Sequence, residues 1–482
     1  MGKGGQRPTN MTASVHAWSE VTKHRNPNDA WLVCNNKVYD VSGWHDHPGG
    51  DVIFTAAGDD ATDTFAMFHG PGATKHLDQF CIGTLDEDSR KQYSTQETKT
   101  EAQIEFERGY RALRLKLKAL GLFESSPSYY AYKMLSTLAL AVTVAAVIAT
   151  FSGRIWIDVA ARSAAAVLLG IYFQQCGWLC HEILHHQVFA NRKIGRYVGY
   201  FWGNFAQGFS VSWWMNKHNT HHAVPNVHAT GADAQNGDPD IDTMPYLAWS
   251  RPMLRLANSG FSKWMVSHQH LMYFPLLALA RISWLQQSIA YVLNLDETAG
   301  RAVKGAPGEL KPVPHEKLEL FLLGLHYAWY FALAAMHPTF LDSLAYVLIT
   351  NIACGLALAT VFGLGHNGMA VYDAAARPDF WKLQVTTTRN VTQDPLGFVH
   401  WCDLIHKLFI TSFCGGLDYQ VEHHLFPTIP RHNLRKVSEV TKAFCAKHCI
   451  TYHHAGIIEG NKEVLDHLQD LADEFVHKFP AM

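Results

Sequence analysis

The chain has 482 residues, enough for more than one domain. Hydrophobic residues make up 48% and charged residues only 17%, below the roughly 25% charge of a soluble domain, yet a mean hydropathy of -0.06 is too low for a chain that mostly faces lipid. Lys+Arg number 40 against Asp+Glu 42, which removes the usual ground for a nucleic-acid partner and leaves the 29 histidines, which are clustered, as the compositional outlier.

The opening stretch MGKGGQRPTNM contains no apolar run and is not a secretory signal. Gly2 invites a myristoylation reading, but that motif wants Ser or Thr at position six and this chain has Gln6. Residues 12–84 read as a small α+β domain. A short helix is expected between His16 and His24, with Ser19 as its cap. Trp31-Leu32-Val33 and Lys37–Val41 read as two strands around an Asn35-Asn36 turn. Then come the loop His47-Pro48-Gly49-Gly50 and helical segments up to His69. Residues 86–101 (DEDSRKQYSTQETKTE) are polar and aperiodic, so a linker is taken over 85–103 and a second, larger domain over 104–482. The nine cysteines are scattered, with no CxxC pair; Cys176 and Cys180 lie in an apolar run, Cys445 and Cys449 sit one helical turn apart, and all are read as reduced thiols.

Four apolar segments, about 134–151, 163–180, 320–336 and 343–365, each approach the roughly 20 residues that span a bilayer. Short connections pair them into two transmembrane hairpins. Everything else then lies on one side: the N-terminal domain, residues 181–317 and the C-terminal tail. The outer connections hold little Lys or Arg (Arg154 and Arg162 flank the first, and none lies between His337 and Asp342), which predicts a cytosolic side for the long segments. Residues 270–293 are apolar only as far as Ala280, with Arg281 following, so an amphipathic segment at the interface is expected rather than a fifth span.

His47 in HPGG and His69 at the end of GDDATDTFAMFH supply the two neutral imidazoles that a six-coordinate haem needs. Glycines let backbone pass close to a macrocycle, and Phe65 and Phe68 offer an apolar wall. Ligation by two histidines leaves no open iron position, which suits electron transfer. With the upstream NDAWLVCNNKVYDVSGW, residues 12–84 resemble a cytochrome b5 domain, which implies His47 and His69 as axial ligands of haem b.

Three histidine boxes follow. HEILHH (His181, His185, His186) comes directly after the second apolar segment, HNTHH carries His218, His221 and His222, and QVEHH carries Gln420, His423 and His424. The i, i+3 and i, i+4 spacings put box histidines on one helix face. His366 emerges where the fourth segment ends. Nine histidines are too many for one ion, which takes roughly four to six ligands, and suit two. Imidazole binds iron, zinc, copper and nickel alike; the haem donor argues for a redox metal, and zinc has no redox chemistry. HEILH also fits the zinc-protease signature HExxH, with Glu182 as base, but that reading leaves the other boxes and the haem domain without a role. A membrane-tethered electron carrier with inactive boxes is a further alternative.

The order of a cytochrome b5-like domain, boxes of the form Hx3H, HxxHH and QxxHH, and two membrane hairpins resembles the front-end fatty acid desaturases. The stretches QQCGWLCHEILHHQVF, WWMNKHNTHHAVPN, GDPDIDTMP, VFGLGHNGM, RPDFWKLQVTTTRNVT and GGLDYQVEHHLFPTIPRHNL are similar to algal Δ6 acyl desaturases of the diatom type. Glu182-Ile183 stands where that family usually has Asp-Phe, so an acid is kept and the changed apolar residue bears on regiochemistry. The resemblance implies two iron ions held by the boxes, O2 as oxidant, and NADH-derived electrons arriving through a separate cytochrome b5 reductase. It implies a long-chain acyl lipid or acyl-CoA as substrate and a multi-pass protein of the endoplasmic reticulum with its sites facing the cytosol. Δ5 or Δ8 acyl desaturation, sphingoid-base Δ8 desaturation and hydroxylation remain alternatives on the same layout. Gln420 is left open as a ligand or a group behind the ligands. Asp238, Asp240 and Asp242 are left open between structural and functional roles. Trp202, Trp213, Trp214 and Tyr273 are read as packing first and acyl-tunnel lining second.

Overall fold

The computed structural model describes residues 14–478 apart from 87, 90–100, 151–153, 230–236, 296–310, 312, 377 and 393–409; Gly2, Gln6, Cys402 and most of the expected linker lie outside the described residues. The N-terminal part is a five-stranded sheet of β1 (Ser14–His16), β2 (Arg25–Asn26), β3 (Asp29–Cys34), β4 (Lys37–Asp40) and β5 (Cys81–Leu85), in the order β1-β5-β4-β3-β2. β1 runs parallel to β5 and the other pairs are antiparallel. The β3–β4 turn is Asn35-Asn36, as the sequence predicts, with φ of 50° and 62°, the paired positive φ that a two-residue hairpin needs and that Asn tolerates. Alternation along β3 divides its side chains: Ala30, Leu32 and Cys34 pack with Tyr39, Val41 and Phe54 on one face, and Trp31 and Val33 with Val21, Val38 and Leu85 on the other. The short helix is Trp18–Val21, with Ala17 at its cap position, so Ser19 does not cap it. The Trp18 N–H donates instead to the Ser89 hydroxyl at 2.8 Å.

After the helix Glu101–Ala119, four helices are long and apolar enough to cross a membrane: Pro127–Ala149, Trp156–Leu184, Glu316–Ala335 and Phe340–His366. The first starts at a Ser126 cap with Pro127 in its first turn, and the fourth at a Thr339 cap. Exposed Leu135, Val142, Phe321, Phe331 and Leu348 form an apolar outer surface of the kind that a bilayer covers. The second and fourth helices approach closely at Gly170, where a Cβ would lie 2.8 Å from the Thr350 carbonyl oxygen, the small-residue contact that membrane helices use. The helix Ile155–Leu184, of 30 residues, is about 45 Å long at 1.5 Å per residue, which exceeds a roughly 30 Å hydrocarbon layer. That surplus carries its last turns, with His181 and His185, beyond the apolar zone.

Residues 270–293 form the helices Gln269–Ala278 and Ala280–Leu293, bent by 64° at the break between them and packed on the fourth spanning helix. Arg281 is wholly buried. Its guanidinium donates to Asn351 Oδ1 at 2.5 Å and the Gln207 carbonyl at 2.9 Å, meets His326 Nε2 at 3.1 Å, and sits 3.9 Å over the Phe173 ring. These partners satisfy a charge that is otherwise costly to bury. The eight cysteines among the described residues are free thiols.

Candidate metal centres

His47 and His69 face each other with ring centroids 6.0 Å apart. His47 comes from the HPGG loop, and His69 follows the helix Thr62–Phe68. Each Nδ1 lies 3.1 Å from a backbone carbonyl, of Gly50 and Phe65 respectively, so each ring carries its proton on Nδ1 and keeps the Nε2 lone pair for a ligand. Burial pushes both imidazoles down in pKa, His69 to about 4 with the help of His47, which favours the neutral, ligating form. Phe65 stacks on His69 at 4.5 Å. A Cβ at Gly49 would approach His47 Cε1 to 2.9 Å, so the loop needs glycine there. The pair fits a haem held by two axial histidines.

The boxes converge on the same side of the spanning helices and divide into two groups. His181, His185, His218, His222 and His423 place one nitrogen each within 4.8 Å of the others, and so, separately, do His221, His366 and His424. All eight are buried. In the first group His185 and His218 Nε2 lie 2.9 Å apart, His218 and His222 Nε2 3.0 Å, and His222 and His423 Nε2 3.1 Å. In the second, His221 and His366 Nε2 are 3.2 Å apart. Metal–nitrogen bonds of about 2.1 Å place two donors on one ion about 3.0–3.4 Å apart, and the observed spacings lie in or just below that range.

The outer ring nitrogens explain the orientation. His221 Nδ1 donates to Asp238 Oδ2 at 2.8 Å, His366 Nδ1 to the Thr387 carbonyl at 3.1 Å, and His424 Nδ1 to Gln384 Oε1 at 2.9 Å. His221 and His366 therefore point their Nε2 atoms at each other, an arrangement that a shared cation satisfies. His181 Nε2 and His424 Nε2 have no hydrogen-bond partner although buried. Burial and neighbouring histidines hold His185, His218, His222 and His424 well below the usual imidazole range, and burial with His221 brings His423 to about 3. Burial pushes His221 down too, but Asp238, by charge and hydrogen bond, and Asp240 outweigh it and hold His221 at about 9, so without a cation its Nε2 carries a proton, which a bound metal ion would displace. These donors fit two metal ions.

His186 is not brought in with the other eight. It follows the end of the second spanning helix with φ of +61°, which turns its side chain off the box face, and its electrostatic neighbours are Arg192, Arg196 and His69. Gln420 stands beside the second group, its Nε2 2.6 Å from His366 Nε2 and its Oε1 without a partner. Amide oxygen and nitrogen are exchangeable in shape, and the exchanged amide aims its oxygen at the group that has three histidines rather than five. Glu182 is not free to act as a protease base: its carboxylate pairs with Arg431 and accepts from the Tyr130 hydroxyl at 2.9 Å.

Asp238 lies directly behind the second group: besides His221 it accepts from the Asn226 N–H at 2.8 Å, which fixes the carboxylate. Asp240 lies 3.6 Å from the same ring. Sequence reasoning missed Gln384 and Thr387, which sit in RPDFWKLQVTTTRNVT without any ligand-type signal; Gln384 also donates to the His222 carbonyl at 2.9 Å and so ties the second box to the third. Trp214 walls the first group, 4.2 Å from His218 and 5.6 Å from His181 between ring centroids. Trp202, Trp213 and Tyr273 are buried packing residues. Asp238→Asn is expected to lower metal affinity roughly 10–100-fold, the usual cost of losing an outer partner, read as metal retained per protein after dialysis against a graded chelator; unchanged retention would refute the orienting role.

Residues 159–456 match the family described as Fatty acid desaturase, and residues 17–86 the family described as Cytochrome b5-like Heme/Steroid binding domain. Among curated proteins, the chain is 36% identical over 469 residues to an acyl-lipid (9-3)-desaturase of Physcomitrium patens, covering 97% of this chain and 80% of that protein. It is 32% identical to the Δ6 fatty acid desaturase fat-3 of Caenorhabditis elegans, covering 90% and 93%, and 33% identical to a Δ8 fatty acid desaturase of Euglena gracilis, covering 89% and 92%.

Proposed function

Because this chain belongs to the fatty acid desaturase family, as a front-end member fused to a cytochrome b5-like domain, we propose that it inserts a cis double bond at the Δ6 position of polyunsaturated long-chain acyl substrates. The observation that carries the chemistry is the division of eight buried histidines into two adjoining donor groups. Support for Δ6 is the QVEHH box in its surroundings together with relatives named for (9-3) and Δ6 desaturation; the Δ8 relative keeps that alternative in view. Two iron ions in these groups and a haem between His47 and His69 would supply oxygen activation and single-electron delivery. An unactivated methylene has no acidic proton, so acid–base catalysis alone does not break its C–H bonds.

The chain's own residues then have distinct tasks. His181, His185, His218, His222 and His423 would hold one ion, and His221, His366 and His424 the other, with the Gln420 amide oxygen as an added donor. Asp238, Gln384 and the Thr387 carbonyl keep the Nδ1 protons off the ligating nitrogens. Trp214 and the buried surroundings keep bulk water from the centre. Overall, two hydrogens leave adjacent methylenes, and with O2, two electrons and two protons they yield the alkene and two waters. On this reading NADH-derived electrons enter through cytochrome b5 reductase, in the endoplasmic reticulum with both centres facing the cytosol.

Expression in yeast fed linoleic or α-linolenic acid tests the assignment. New Δ6 double bonds, located by mass spectrometry of the extracted acyl chains, are the expected result. Double bonds only at Δ5 or Δ8, or only in sphingoid bases, would replace the Δ6 reading, and comparing labelled acyl-CoA with phospholipid pools over time identifies the carrier.

A further inference from the structure

One helix separates the haem-ligand loop from the histidine groups. Val211–Ala223 turns His218, His221 and His222 toward the metal site, and at 100° per residue Asn216 and Asn219 lie on its other side. Asn219 Nδ2 donates to the Gly49 carbonyl at 3.2 Å, two residues beyond His47. Lys311 Nζ pairs with Asp51 Oδ2 at 2.8 Å and reaches Asn216 Oδ1 at 3.4 Å. Both side chains of that ion pair are largely buried. Around the rim Arg111 grips Asp63 with two bonds of 2.8 and 2.9 Å, Arg114 donates to the Ala66 carbonyl, and Arg192 donates to the Phe68 carbonyl at 3.0 Å. In each of these contacts the haem-domain partner is a carboxylate or a carbonyl and the other partner a cation or an amide.

We propose that this face is a built docking surface for the haem domain, in which Lys311–Asp51 and Asn219–Gly49 are positioning contacts that fix the pose for electron transfer within the chain. The inference rests on the desaturase reading above. From His47 the path runs along two peptide units to the Gly49 carbonyl, across one hydrogen bond to Asn219, and by one peptide bond to His218, whose Nε2 lies within 2.9 Å of His185. Each transfer moves one electron: ferrous haem becomes ferric and one ferric ion of the histidine site becomes ferrous. Two transfers serve one turnover, and an external flavoprotein reductase re-reduces the haem between them. The Lys311–Asp51 pair has low exposure, so salt screens it less than an ion pair in open solvent.

The test uses the full-length protein in detergent. A carbodiimide, which joins a carboxylate to an amine only in direct contact, is expected to link Asp51 to Lys311, detected by peptide mass spectrometry with or without bound metal. Lys311→Glu is expected to abolish that link and to slow reoxidation of pre-reduced haem, under O2 and substrate, at least about tenfold, with the haem spectrum and iron content unchanged. The swap Asp51→Lys with Lys311→Glu is expected to restore the rate to within about threefold, since it re-forms the pair with reversed charge. Absence of the wild-type link, wild-type reoxidation in Lys311→Glu, or a swap as slow as the single variant would each overturn the proposal. Those results would leave desaturation of fed fatty acids intact, whereas a chain that links normally yet desaturates no acyl substrate would overturn the functional reading instead.

Discussion

Replacing His423 with alanine is expected to take desaturation to the assay background and to remove iron in the same step. His423 is buried in the short helix Gln420–Leu425. Its Nε2 lies 3.1 Å from that of His222, and its ring centroid 4.7 Å from His181 and 4.9 Å from His185. It is thus the residue by which the third box closes a group otherwise built from the first two. Loss of an outer partner costs roughly 10–100-fold in metal affinity or activity, and loss of a direct donor from this group costs more. Iron per protein, measured by plasma mass spectrometry, should fall while the haem absorption stays at the wild-type level, because His47 and His69 belong to another part of the chain. Normal turnover, or full iron content, would rule out His423 as a ligand.

The converse signature is expected for His47→Ala. The haem absorption should disappear and desaturation should fall to background without an added donor, with the non-haem iron retained and the protein still in the membrane. A lone His69 leaves one haem face without its axial ligand, and the Gly50 carbonyl that accepts from His47 Nδ1 loses its partner. Adding soluble cytochrome b5 should recover part of the activity in His47→Ala and none in His423→Ala. Full activity in His47→Ala without any added donor would refute delivery from the fused haem domain.

Much of this was legible before any fold was known, and the reason is local. The Asn35-Asn36 hairpin, the alternation along β3 and the HPGG loop depend on neighbours in sequence. Apolar length alone identifies four spans, although the second and fourth helices run on past the apolar residues to Leu184 and His366. Box spacing shows which histidines share a face, and the glutamine of QVEHH separates this chain from desaturases with histidine there.

Where the reading departed from the structure, the deciding contacts came from afar. Arg281 ends the apolar stretch in sequence, yet it is buried against Asn351, Gln207 and Phe173, which lie far along the chain. His186 belongs to the first box by spacing, but a left-handed residue at the helix end turns it away. Asp238 and Gln384 could be weighed only once their carboxylate and amide were seen on ring nitrogens of His221 and His424.

The sequence by itself determined the donor chemistry: clustered imidazoles on shared helix faces, next to the ends of the spans, with a haem pair in front. Those follow from residue type and helical or strand period, which short segments carry alone. Only the tertiary structure decided how eight histidines divide between two ions, which nitrogen of each ring faces inward, and where the haem loop meets the second box. Each of these is set by the crossing of elements that lie from tens to two hundred residues apart in sequence, and by partners such as Asp238, Gln384 and Lys311 that bear no mark until the chain has folded.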